Sequence, residues 1–159
     1  MIKTQKIKTF LWFDTEAEEA ANYYIKAIPD SRITHVARYG DTGPGPKGQV
    51  MIVEFTLAGQ QFIALNGGPH FKFTEAISLF VTAEDQAEVD RLWSYLVSGG
   101  SPSACGWLKD KYGLSWQIVP RRFMEMMQDK DPAKTGRVMA AMMQMVKFDV
   151  AALEKAYAG

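Results

Sequence analysis

The sequence predicts an α+β fold: two β-α-β-β-β modules followed by a C-terminal helical tail. Three observations carry this. Strand, helix, strand, strand and strand signals run in order and then restart. Two short matches recur at corresponding places: Leu11-Trp12-Phe13 before the first helix answers to Leu79-Phe80-Val81 before the second, and Gly59-x-x-Phe62 answers to Gly113-x-x-Trp116 ahead of each module's last strand. After Pro120 the apolar spacing turns helical.

The elements follow in order. Residues 10–13 are short and aromatic and read as a strand. Thr15 and Glu18 form a capping-box pattern, and Ala17, Ala20, Ala21, Tyr24 and Ile28 give one apolar helical face that Pro29 ends. Alternation around Ile33, Val36 and Tyr39 predicts a strand over 32–39, and a Gly/Pro loop covers 40–48. Residues 50–57 and 61–66 form a hairpin about Ala58-Gly59, which places Glu54 opposite Ile63, on the face away from Asn66. The second module begins with a strand over 76–81. Thr82 caps the next helix with Asp85 at its third position, and Val89, Leu92, Trp93 and Leu96 form the buried face. A turn at 110–113 leads into a strand over 114–119. This half is shorter, so one of its strands is expected to be reduced. The tail reads as a short helix over 121–128, a helix capped by Asp131 with Pro132 at its first position, and a last helix capped by Asp149. Val138, Met142, Met145 and Val146 are expected to form a stripe. The whole reads as one domain over 1–159, with module one about 5–68, module two about 74–119 and the tail about 121–158.

Composition narrows the function. Eighteen Lys and Arg balance eighteen Asp and Glu, so no long-range field draws a polyanion, and nucleic acid is not an expected partner. Cys105 is alone and cannot form an internal disulfide, which points to a reducing, cytoplasmic setting. The first residues show no apolar leader, and no apolar run approaches the ~20 residues of a membrane span. Seven of nine Met fall after Pro120, either packing the tail on its own sheet or covering a partner.

The segments 10–14 with 17–20, 65–69 with Phe71 and Phe73, and above all 105–117 (CGWLKDKYGLSWQ) resemble the vicinal oxygen chelate superfamily of glyoxalase, bleomycin-resistance and dioxygenase folds. Within it the chain is similar to the PhnB-like branch, often labelled 3-demethylubiquinone-9 3-methyltransferase. The resemblance covers about residues 5–158. It implies curved sheets around a cavity, often in a homodimer. In the superfamily's enzymes a divalent metal is held by His and Glu from the first and last strands of each module. The corresponding positions here are 7–9, Asn66, Ala76 or Ile77, and Gln117; two amides without imidazole cannot compete with water for such a cation, so no metal is expected. No cofactor is expected either. The loop Gly43-Pro-Gly-Pro-Lys-Gly48 matches G-x-G-x-x-G, but a strand follows where a dinucleotide-type loop opens a helix, so methyl transfer is not supported.

What remains is a small-molecule cavity. Asn66 and Gln117 hold the former ligand positions and offer amide donors and acceptors. Trp12, Phe62, Phe73, Trp107 and Trp116 are candidate flat walls, with core packing the alternative for each. Trp116 alternates with Gln117, so at most one of them faces the cavity directly. Three residues are candidate catalysts. Cys105 lies in a Gly-flanked loop with Lys109 four residues on, an ammonium that would favour thiolate. Glu54 is an acid within an apolar strand, and His70 is a loop imidazole. His35 is expected in a solvent-facing or cross-strand role. Three functions compete: a metal-free binding protein, a lyase, isomerase or dioxygenase relative using Cys105, Glu54 or His70, and an interaction protein acting through its Met-rich tail.

Overall fold

The computed structural model describes residues 5–159, which divide into two compact units, one ending at Phe73 and the other spanning Thr74–Gly159. The first unit runs β1 (Thr9–Phe13), α1 (Ala17–Ala27), β2 (Arg32–Arg38), β3 (Val50–Leu57) and β4 (Gln60–Asn66). Its sheet has the order β1-β4-β3-β2, with β1 parallel to β4 and the other pairs antiparallel. The β-branched run Val50 to Leu57 sits near the centre of this sheet, where both faces need residues that pack on a pleat. Residues directly opposite across a ladder share a face. Leu11, Phe13, Val53, Phe55, Leu57, Phe62, Ala64 and Asn66 therefore lie together on one face and are all buried. Onto that face α1 lays Ala17, Ala20, Ala21, Tyr24 and Ala27. Phe55 and Phe62 stack with centroids 5.3 Å apart. The other face carries Lys8, Phe10, Trp12, Ile52, Glu54, Thr56, Gln61, Ile63 and Leu65, all at least partly exposed.

The second unit repeats the order: β5 (Ser78–Ala83), α2 (Gln86–Val97), β6 (Ser101–Pro102), β7 (Trp107–Lys109) and β8 (Ser115–Pro120) form the sheet β5-β8-β7-β6. β6 and β7 are the reduced strands. Val89, Leu92, Trp93 and Leu96 of α2 are buried, as are Leu108, Trp116 and Ile118 on the sheet face that shares their side. Three helices follow, α3 (Arg121–Met127), α4 (Pro132–Met142) and α5 (Val150–Ala158), and they belong to this second unit. Asp131 and Asp149 cap α4 and α5 as expected, accepting from the Ala133 and Ala152 amides.

Four local expectations are corrected. The Thr15–Glu18 capping box does not form. Instead the Ala17 amide donates to Asn66 Oδ1 at 2.8 Å, so the end of β4 caps α1. Thr82 lies inside β5, and Asp85 caps α2 by accepting from the Glu88 amide at 2.9 Å. The Met stripe stops with α4 at Met142; beyond it the Met145 and Val146 carbonyls accept from the Cys105 and Gly106 amides, each at 2.8 Å. Finally, the repeat match in the first strands is offset by two residues. Phe62 pairs with Thr9 and Trp116 with Leu79, so Leu11-Trp12-Phe13 corresponds to Val81-Thr82-Ala83. A shift of two preserves the strand's faces, so the alternation still read correctly.

Candidate functional site

The exposed face of the first sheet holds a hollow of about 240 Å³ lined by Lys8, Arg32, Thr34, His35, Glu54, Thr56 and Gln61, and bordered by Phe55 and Phe62, whose side chains turn to the helix side. Glu54 is directly opposite Ile63 in one direction and His35 in the other, and its carboxylate lies 3.6 Å from Lys8 Nζ. The register read from the sequence thus holds, and so does the placement of Glu54 on the face away from Asn66. The face away from Asn66 is the accessible one.

Asn66 is therefore not available to a ligand in the expected way. It is 5% exposed, its Oδ1 accepts from Ala17, and its Nδ2 donates to the Val50 carbonyl at 2.9 Å. Its own carbonyl accepts from the Tyr39 hydroxyl at 2.7 Å. The amide that would orient a substrate instead ties α1, β3 and β4 together. Gln117 does lie on the accessible face of the second sheet, where its Nε2 donates to Ser78 Oγ at 3.0 Å. Trp116 takes the helix side, and its Nε1 donates to the buried Asp110 carboxylate at 2.9 Å. The same carboxylate accepts from the Tyr112 and Leu114 amides, a buried hub that the turn signal at 110–113 did not reveal.

The aromatic candidates separate. Phe62 is core. Trp12 shares the accessible face of the first sheet, but its Nε1 donates to the Gly68 carbonyl and its ring meets Phe71 edge-on at 4.9 Å. A side chain at Gly67 would meet that indole at 2.3 Å, so the Gly67-Gly68 pair is what lets the loop cross it. Phe73 packs edge-on against Phe13 at 5.2 Å. Trp107 lines a different hollow, of about 200 Å³, in the second unit.

The three catalytic candidates do not share one constellation. Glu54 alone lines the first hollow. His70 is exposed in the loop after β4. Cys105 belongs to the second unit, with φ +59° and its amide bonded to Met145. The ammonium expected beside the thiol is engaged elsewhere: Lys109 is ion-paired with Glu75, whose carboxyl that contact holds below its ordinary range.

Neither group implied by resemblance fits. Among the described residues, no three His, Cys, Asp or Glu side chains come together. Asn66 is bound to backbone, and Gln117 offers only an amide, so the donor set is wrong for a divalent cation. The loop over 43–48 joins antiparallel β2 and β3 and folds around the Tyr39 ring, 2.2 Å from where a Gly45 Cβ would stand. No helix follows it, so no helix N-terminus is there to receive a cofactor phosphate or carboxylate.

Paired β-α-β-β-β units with these sheet orders define a protein of the vicinal oxygen chelate class. The chain belongs to the family described as 3-demethylubiquinone-9 3-methyltransferase, whose model matches residues 5–119. It is similar to the PhnB protein of Bacillus cereus, a 3-demethylubiquinone-9 3-methyltransferase by name. The two share 40% identity over 73% of this chain and 99% of that one, with a TM-score of 0.68. A protein from Pseudomonas aeruginosa, 19% identical, shares the fold over 74% of this chain and 98% of its own, with a TM-score of 0.62. A gene product from Arabidopsis thaliana does so at 16% identity over 73% and 98%, with a TM-score of 0.51. No curated protein matches the chain. Among the described residues no helix is long and apolar enough to cross a membrane.

Proposed function

We propose that this protein binds a small anionic molecule, without a metal, in the hollow of the first unit. The observation that carries it is the charge at that hollow: Lys8 and Arg32 stand against one carboxylate, Glu54, with Thr34, Thr56 and Gln61 supplying neutral hydrogen-bonding groups. Arg32 presents a planar fork suited to a carboxylate or phosphate. The protein acts in the cytoplasm as a homodimer in this reading, supported by its single thiol and by apolar residues exposed at matching places in both units. Calorimetric titration with small carboxylates and phosphomonoesters tests the binding. Saturable binding that weakens about tenfold in Arg32→Ala is expected. A stoichiometric divalent ion in the purified protein, or no binding by any member of the panel, overturns it.

One observation favours an enzymatic second reading. Glu54, His35 and Lys8 line the same hollow, so an acid, an imidazole and an ammonium meet there. Once a ligand is known, Glu54→Gln separates the readings: turnover lost with binding retained makes Glu54 a catalyst.

A further inference from the structure

The two units place hollows at equivalent positions. By the strand register, Glu54, Thr56 and Gln61 of the first hollow correspond to Trp107, Lys109 and Ser115, and these three line the hollow of the second unit. The repeat thus duplicates a hollow while exchanging its chemistry. The second version contains an anomaly. Ser115 is 1% exposed, and its Oγ has no hydrogen-bond partner. A buried hydroxyl without a partner is costly and uncommon in a folded chain. Ser115 shares the sheet face of Trp107 and Lys109, with Lys109 directly opposite in the ladder.

We infer that the second unit has a ligand site of its own, which takes a small neutral polyhydroxylated molecule. The lining selects that class. Trp107 gives a flat wall for the C–H face of a ring. Ser101 and Ser103 offer hydroxyls, and the Lys109–Glu75 pair supplies donors and acceptors with no net charge. A charged ligand would have to break that pair, whereas alcohol groups bridge both members. Ser115 Oγ then gains the partner it lacks.

Saturation-transfer NMR and calorimetry with glucose, mannose and myo-inositol, each at about ten millimolar, test this on the full chain. At least one probe is expected to bind saturably, and Ser115→Ala to weaken it about fivefold. The unliganded Ser115→Ala protein should melt at the same temperature or higher, because the hydroxyl it removes is unpaired. Trp107→Ala is expected to abolish the transfer signal. Failure of all three probes, undiminished affinity in Ser115→Ala, or a lowered melting temperature in that variant overturns the site.

Discussion

Asn66→Ala leaves the Ala17 amide and the Val50 carbonyl unpaired in the core of the first unit. The expected loss is about 2–4 kcal/mol, read by denaturant unfolding, since each orphaned buried group costs about 1–3 kcal/mol. Asn66→Asp keeps the acceptor at the start of α1 but turns a carboxylate oxygen toward the Val50 carbonyl, so it is expected to lie between wild type and Ala. The position of Asn66 at a strand end before Gly-Gly was legible; its role was not. The resemblance directed it to a cavity, and only the side on which α1 packs shows that its amide serves the backbone. Glu54 shows the reverse. Its hairpin register was readable from Ala58-Gly59, while the identity of the open face depended on which side the helix covers. Local turn chemistry specifies register, and helix placement is a tertiary choice that strand alternation leaves undetermined.

At the scale of elements, hydrogen bonds to its backbone help tie the tail to the rest of the second unit. Gln86 of α2 donates to the Phe148 carbonyl and accepts from the Val150 amide at 2.7 Å. Gly106 adopts φ +81°, and a Cβ there would meet the Phe148 ring at 2.4 Å. Gly106→Ala is therefore expected to destabilise by about 2 kcal/mol or more from combined strain and overpacking, with a lowered melting temperature. Helix-to-helix contacts add charge. Arg122 beside Glu154, and the Tyr157 hydroxyl on Asp129, hold both carboxyls below their ordinary values of 4.5 and 3.8. A lowered carboxyl contributes stability above its ordinary value and loses it as pH falls through the lowered one. Glu154→Gln should thus depress the melting temperature at neutral pH, and its difference from wild type should shrink as the pH falls below 4.5. The caps at Asp131 and Asp149 were plain in the sequence. The stitch from 105–106 to 145–146 was not, because no side-chain pattern marks a backbone-to-backbone contact.

For the whole molecule, the corrected repeat aligns Ile7 with Ile77 and Phe10 with Phe80. All four are exposed, at 79%, 58%, 54% and 48%. Both Phe residues lie on edge strands, β1 and β5. Apolar residues exposed at matching places suit a self-association surface. If they carry the proposed homodimer, the double variant Phe10→Lys, Phe80→Lys is expected to sediment as a monomer and wild type as a dimer. A wild type that is monomeric at micromolar concentration removes that reading. The duplication itself was legible from element order and from Gly-x-x-aromatic. Its two-residue offset was not, since chance similarity of Leu-aromatic strings outweighed the pairing that only the sheet displays.

Tyr39 has a practical consequence. Its ring fills the space over Gly45, its backbone bonds Gly48 and Gln49, and its hydroxyl reaches Asn66. The base of the loop is thereby clasped, while Gly40, Asp41 and Thr42 project into water beyond the clasp. Extra chain spliced between Asp41 and Thr42 enlarges a closed loop at an entropic cost that grows only logarithmically with length. That point is a natural port for a peptide tag or a reporter domain, one that leaves both sheets and both hollows unaltered.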